Sequence, residues 1–173
     1  MPTLKQNVQK GVREMLKHFT DCKADHIVCG DNNRVPLPPD NNYIIFTVMN
    51  PFRYGTPKER LIRKTVDGNT VYKWESEQTY RINVQIDFYG DFAFDRANDI
   101  INISRTEFLC SFLKQYGIQP IACDDAKHLT GISGEREWVE RWTVDFEIDY
   151  CDAVSDNQDW FNTAELERFE TEL

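Results

Sequence analysis

The stretch Arg141-Trp142-Thr143-Val144-Asp145-Phe146-Glu147-Ile148-Asp149-Tyr150-Cys151 decides how this chain is read. Trp142, Val144, Phe146, Ile148 and Tyr150 share one parity; Thr143, Asp145, Glu147 and Asp149 share the other. A strand turns successive side chains to opposite faces, so this is an apolar face backed by a row of carboxylates about 7 Å apart. No residue on the same strand offsets those three charges. Such a face calls for water, a basic partner, or something it must repel.

Working outward, Tyr80 to Phe88 repeats the pattern: Tyr80, Ile82, Val84, Ile86 and Phe88 against Arg81, Asn83, Gln85 and Asp87. Two half-buried strands of the same kind predict neighbours in one sheet. Tyr43 to Met49 is a third run of strand length, closed by Pro51. Leu4, Val8, Val12, Met15, Leu16 and Phe19 recur at three- and four-residue steps and predict an amphipathic helix. Gly90 ends the Tyr80 strand, and a helix follows with Asp91 or Asp95 as its cap, a stripe through Ala97, Ile101, Ser104, Phe108 and Phe112 widened by Leu109 and Leu113, and Gly117 as its stop. Ile118 to Gly134 reads as loop-rich. Between Arg60 and Trp74, two stretches rich in β-formers flank Asp67-Gly68-Asn69, a hairpin turn signal. The expected fold is α+β: a mainly antiparallel sheet covered by two helices, with a projecting β-hairpin. One domain spans residues 1–151, and 152–173 form an acidic C-terminal tail.

The 173 residues suffice to bury roughly 70% of the unfolded surface in a single core. Neither a leader nor an apolar run near the length of a membrane span is expected. Cys22, Cys29, Cys110, Cys123 and Cys151 are odd in number and scattered, which fits a reducing cytoplasm and thiols used as small core hydrophobes. A net charge of -9 argues against a protein that grips nucleic acid by its phosphates. That charge is segregated. Arg53, Lys58, Arg60, Arg63, Lys64 and Lys73 face only Glu59 and Asp67 in the hairpin segment. In the tail, Asp152, Asp156, Asp159, Glu165, Glu167, Glu170 and Glu172 face only Arg168, with Trp160, Phe161, Leu166 and Phe169 interspersed. Apolar residues among the acids mark the tail as a docking segment.

Catalytic and metal signals are weak. His26 lies between Cys22 and Cys29, but the spacing matches no common zinc arrangement. Asp124-Asp125 reads as turn hydrogen bonding rather than a divalent-ion site. Gly131-Ile132-Ser133-Gly134-Glu135 fits neither the nucleophile elbow nor the phosphate loop. His18, His26 and His128 adjoin no nucleophile motif. Tyr80, Tyr89, Trp138, Trp142 and Trp160 sit among acids rather than the cations a base-stacking groove needs, so core packing is their use. Arg34, Arg136 and Arg141 read as loop anchors or pairs across a subunit boundary. No metal, cofactor or catalytic residue is assigned.

Three stretches, in order, carry a family resemblance: Gly30-Asp31-Asn32-Asn33-Arg34-Val35-Pro36-Leu37-Pro38, then Tyr80 to Gly90, then Tyr116-Gly117-Ile118-Gln119-Pro120 with Asp124-Asp125 and Gly134-Glu135 leading to Arg141-Trp142. Together they resemble the neck or tail terminator proteins of tailed bacteriophages, over roughly Leu4 to Tyr150. The resemblance implies a structural virion protein, not an enzyme. It implies a ring of identical subunits, usually a hexamer, at the head-proximal end of the tail. Such a ring ends tail-tube growth, joins the tail to the head and leaves a passage for DNA. The implied partners are other copies of the chain, the tail tube and sheath protein, and the head connector; DNA passes without specific binding and no membrane is involved. The implied location is the tail or neck of the virion, after assembly in the host cytoplasm.

Beside that resemblance, Arg60, Arg63, Lys64, Trp160, Phe161 and Phe169 are candidate interface residues, and Asp145, Glu147 and Asp149 are candidates to face the channel. Unlike patches on one subunit suit the heterologous contacts that close a ring. Carboxylates facing a passage repel phosphates and keep DNA sliding. A solvated outer sheet face is the competing reading of the same carboxylates. An acidic mimic of DNA, bound to a basic nucleic-acid-binding protein, is the alternative for the whole chain.

Overall fold

The structure, a computed structural model, describes residues 3–31, 36–38, 41–66, 69–129, 131–133 and 137–158, with backbone alone at 64, 66, 69, 70, 131–133, 137, 138, 157 and 158. Helix α1 (Leu4–Phe19) opens on a capping box, in which Thr3 Oγ1 accepts from Gln6 N and Gln6 Oε1 accepts from Thr3 N. Its apolar stripe is buried at Val8, Val12, Met15 and Leu16. Gly11 lies on that stripe because a Cβ there would run into Ile118 Cδ1 and the Tyr116 side chain. Strands β1 (Ile27–Cys29), β2 (Ile44–Val48), β3 (Phe52–Arg53), β4 (Lys58–Val66) and β5 (Asn69–Tyr89) follow.

One helix was expected from Asp91 to Gly117; the chain instead forms α2 (Ala93–Ile103) and α3 (Glu107–Lys114), so among the described residues three α-helices accompany the sheet. The break is chemical. Ser104 Oγ donates to Ile101 O at 2.7 Å, Thr106 Oγ1 donates to Ile103 O at 2.7 Å, and Thr106 then caps α3 by accepting from Leu109 N. Hydroxyls that bond local backbone compete with the helical ladder, and the apolar stripe by itself does not register that competition. Neither Asp91 nor Asp95 caps α2; its cap residue is Phe92, without a side-chain bond. Gly117 does adopt the left-handed conformation, at φ 71°.

The remaining strands are β6 (Ile118–Cys123), β7 (Lys127–His128), β8 (Gly131–Ser133), β9 (Glu137–Val139) and β10 (Arg141–Gln158). The stretch expected to be loop-rich thus supplies an edge strand, β6, antiparallel to β10. Its register shifts between Glu147 and Ile148, leaving Ile121 as an extra residue beside Pro120. Edges and bulges are where a strand tolerates proline. The principal sheet runs β1-β2-β5-β10-β6, with β3 and β4 also paired to β5, and β7 to β10. β1 and β2 run parallel; β2 meets β5 antiparallel with Phe46 opposite Ile86. β8 and β9 pair separately.

Two compact units emerge: Met1–Gly55 with Thr79–Asp152, and Thr56–Gln78 with Ala153–Leu173. β5 and β10 contribute to both, and β10 continues past Cys151 to Gln158. The first unit holds the core: Ile82, Val84, Ile86 and Phe88 of β5 and Val144, Phe146 and Ile148 of β10 are fully buried against α1, α2 and α3. In the second, β4 and β5 are antiparallel from Lys58 opposite Glu77 to Val66 opposite Asn69. The expected Asp67-Gly68 turn lies outside the described residues. Among the described residues no helix is long and apolar enough to cross a membrane.

Candidate interaction surfaces

The polar parities of β5 and β10 meet on one face of the first unit. Arg81 Nε donates to Asp149 Oδ1 at 3.1 Å, and its guanidinium lies 5.0 Å from the centre of the Tyr54 ring. Tyr54 donates its hydroxyl to Asp149 Oδ2. Lys127 Nζ lies 3.2 Å from Asp145 Oδ2 and 3.7 Å from Asp124 Oδ2. At the other end, Asp87 is buried and accepts from Arg141 Nε at 3.2 Å, Arg141 Nη2 at 2.9 Å, Thr143 Oγ1 at 2.6 Å and Gln85 Nε2 at 3.2 Å. Arg141 in turn stands over the Tyr89 ring, which stacks on Tyr43.

Of the neighbours that the carboxylate row called for, the fold supplies basic ones. Nothing on β10 offsets Asp145 and Asp149, but β7 and β5 do, and Glu147 sits between them with its charge acting on Arg81. The ionisation behaviour follows the pairs. Hydrogen bonding to Asp145 raises the Lys127 pKa above its ordinary value, and bonding to Asp149 does the same for Arg81. Tyr54 is raised because its proton is held by Asp149. For Arg141, burial pulls the pKa down, and the bond to Asp87 and its charge more than reverse it. Lys127, Arg81 and Arg141 offset most of the charge of Asp87, Asp145, Glu147 and Asp149, and the face keeps an acidic excess at Glu147.

In the second unit, Arg60 forks across the strand pair, with Nη2 at 2.6 Å from Glu75 Oε1 and 2.5 Å from Glu77 Oε1. Its cationic segment is therefore partly neutralised from within. Arg63 is exposed opposite Tyr72. The side chain of Lys64, and the whole of Trp160, Phe161 and Phe169, lie outside the described residues. The second unit also holds a feature the sequence did not announce: Glu59 of β4, Trp74, Glu75 and Ser76 of β5, and Val154 and Asp156 of β10 line an open groove of about 340 Å³. Leu61, opposite Trp74, is exposed with it.

A third patch joins α1 and α3. His18 stacks on Phe112 at 5.0 Å, while Phe19 meets Phe108 and Phe112 edge-on at 5.3 and 5.1 Å. Phe108 is 63% exposed. The helical stripe pointed to Phe108, Leu109, Phe112 and Leu113 as cover for the sheet; α3 begins afresh after Thr106, and Leu109 and Leu113 are buried as expected while Phe108 faces outward.

The remaining sequence motifs take structural roles. Cys22, Cys29 and Cys123 are buried, Cys110 is half-buried and Cys151 exposed. His26 Nδ1 bonds Asn42 O at 2.8 Å, and Gln9 Nε2 bonds Cys29 Sγ. Asp124 and Asp125 are exposed at the end of β6. Trp142 packs between Phe94 and His128 and donates to Glu140. Arg34 and Arg136 lie outside the described residues. Among the described residues, no three His, Cys, Asp or Glu side chains converge as a metal site requires.

Residues 6–172, nearly the whole chain, match the family model described as phage neck terminator protein. No curated protein matches the chain.

Proposed function

We propose that this chain, which belongs to the phage neck terminator protein family and is a structural protein of the phage neck, forms a ring on the head-proximal end of the tail. The ring, a hexamer, stops tail-tube growth, docks the head connector and leaves a channel for DNA. The observation that carries this reading is the family match over residues 6–172. The surfaces support it. The described residues present charge pairs, exposed aromatic rings and a groove, features of a protein that acts by contact. On this reading it catalyses no reaction. Residues 1–151 form its structural body, and 152–173 dock as an acidic tail.

The DNA-mimic alternative loses support from the polar face of β10. A mimic needs carboxylates arrayed without nearby counter-charge, whereas Asp145 and Asp149 are paired with Lys127 and Arg81. The same pairing limits a channel role for that face: of the three candidates, Glu147 is left to carry the repulsion. Changing Asp145, Glu147 and Asp149 together to Lys slows DNA ejection if the face lines the channel. Normal ejection from intact particles removes that role.

Mixing the purified protein with tail tubes tests the main proposal. Electron microscopy is expected to show a cap of several copies at one tube end, and light scattering a closed oligomer. A protein that stays monomeric at high concentration and leaves tube ends bare refutes it. Reversing Arg60, Arg63 and Lys64 to Glu is expected to hinder ring closure or docking.

A further inference from the structure

The two faces of the β4–β5 strand pair differ in kind. Residues directly opposite in an antiparallel pair share a face. Lys58 with Glu77, Arg60 with Glu75, and Ile62 with Lys73 therefore lie on one face, where three cations meet two carboxylates. Glu59 with Ser76, and Leu61 with Trp74, lie on the other. That second face carries the groove, whose lining also takes in Glu75 and, from β10, Val154 and Asp156. Its floor is apolar, with Trp74 44% and Val154 70% exposed, and its rim carries Glu59 and Asp156. An exposed indole beside carboxylates is suited to the aliphatic stem and charged head of a lysine or arginine.

We propose that the groove takes a second copy of this chain, with β4 and β5 stacked front to back so that the cationic face of one subunit enters the Trp74 groove of the next. This deepens the ring reading and rests on it. A ring needs two unlike, complementary patches on every subunit, because only head-to-tail contact lets the same joint repeat around an axis. Opposite faces of one strand pair supply both patches, a fixed sheet thickness apart. Charge selects this occupant over the chain's own C-terminal segment. Residues 159–173 carry Asp159, Glu165, Glu167, Glu170 and Glu172 against Arg168 alone, like in sign to Glu59 and Asp156.

The test uses two variants with one added cysteine each, Ile62→Cys on the cationic face and Ser76→Cys in the groove, both in a full chain carrying Cys110→Ser and Cys151→Ser so that the remaining native thiols, Cys22, Cys29 and Cys123, are buried. Both substitutions keep every charge. A flexible bis-maleimide spanning roughly the 10 Å between stacked sheets is added to each variant alone and to their mixture. The mixture is expected to give at least about tenfold more cross-linked dimer than either variant alone, since each joint pairs a front with a back. A Trp74→Glu variant is expected to weaken the oligomer by about tenfold or more, as for an interface anchor, with an unchanged thermal midpoint. An oligomer that forms normally while the mixture fails to cross-link overturns this joint and leaves the ring standing. Cross-linking that appears only after residues 159–173 are removed gives the groove to the chain's own tail and overturns it as well. A protein that forms no oligomer, alone or with tail tubes, sinks the ring reading itself.

Discussion

Replacing Asp87 with alanine probes the best-buried charge on the polar face of the sheet. The carboxylate side chain is 9% exposed and its Arg141 partner 28%. Removing one member of a buried pair leaves the other desolvated and uncompensated, a cost of about 3–5 kcal/mol. Because Arg141 keeps some contact with water, the lower end applies to the ion pair. Thr143 Oγ1 and Gln85 Nε2 lose their acceptor too, and each is worth about 1 kcal/mol or less where water can replace the bond. The expected loss is therefore ~3–4 kcal/mol out of a total of ~5–15 kcal/mol. It should lower the thermal midpoint by roughly 10 °C for a chain of this size. Urea unfolding followed by circular dichroism at pH 7 measures it, with the slope checked for two-state behaviour. The cycle with Arg141→Met isolates the pair: the double variant should be less destabilised than the sum of the singles by about 2 kcal/mol. A loss below about 1 kcal/mol for Asp87→Ala, or additivity within about 0.5 kcal/mol, would refute the reasoning.

Three further outcomes follow from local geometry. Gly90 sits at φ 94°, and a Cβ there would lie 2.8 Å from Asn41 O and 3.1 Å from Asn42 Cα, so Gly90→Ala should destabilise by about 2 kcal/mol or more in thermal unfolding. Burial pushes the Cys123 thiol up to about 12 from 9.0; the unfolded chain then gives up this proton first, and stability is lost as pH rises from about 9 toward 12. Unfolding midpoints at pH 8 and 10.5 should show that fall, shallower in Cys123→Ala, and at pH 8 Ellman's reagent should titrate exposed Cys151 before Cys123. Thr106→Ala should cost about 1 kcal/mol by uncapping α3, an effect that vanishes in urea titrations if α2 and α3 act as one continuous helix.

Much of the fold was legible because its signals are local. Period-two alternation identified β10 and the second half of β5, three- and four-residue spacing identified α1, and Gly117 takes the positive φ expected of it, though α3 already ends at Lys114. The split between α2 and α3 was missed because Ser104 and Thr106 fit an apolar stripe as readily as they interrupt it. β6 was missed because Pro120 and a bulge disguise an edge strand. The three stretches that resemble the neck terminator family pointed to the phage neck, and the family match agrees.

The sequence by itself determined which residues share a face, since the alternation of a strand depends only on the backbone between neighbours. Only the tertiary structure decided what each face meets. Arg81 reaches Asp149 across 68 residues, Arg141 reaches Asp87 across 54, and Lys127 reaches Asp145 across 18. Whether a row of carboxylates is a bare negative wall or one side of a paired lattice depends on which strands lie beside it. That choice comes from long-range packing of the apolar face, which sets the order β2-β5-β10-β6 and so brings cations from distant parts of the chain onto the opposite side.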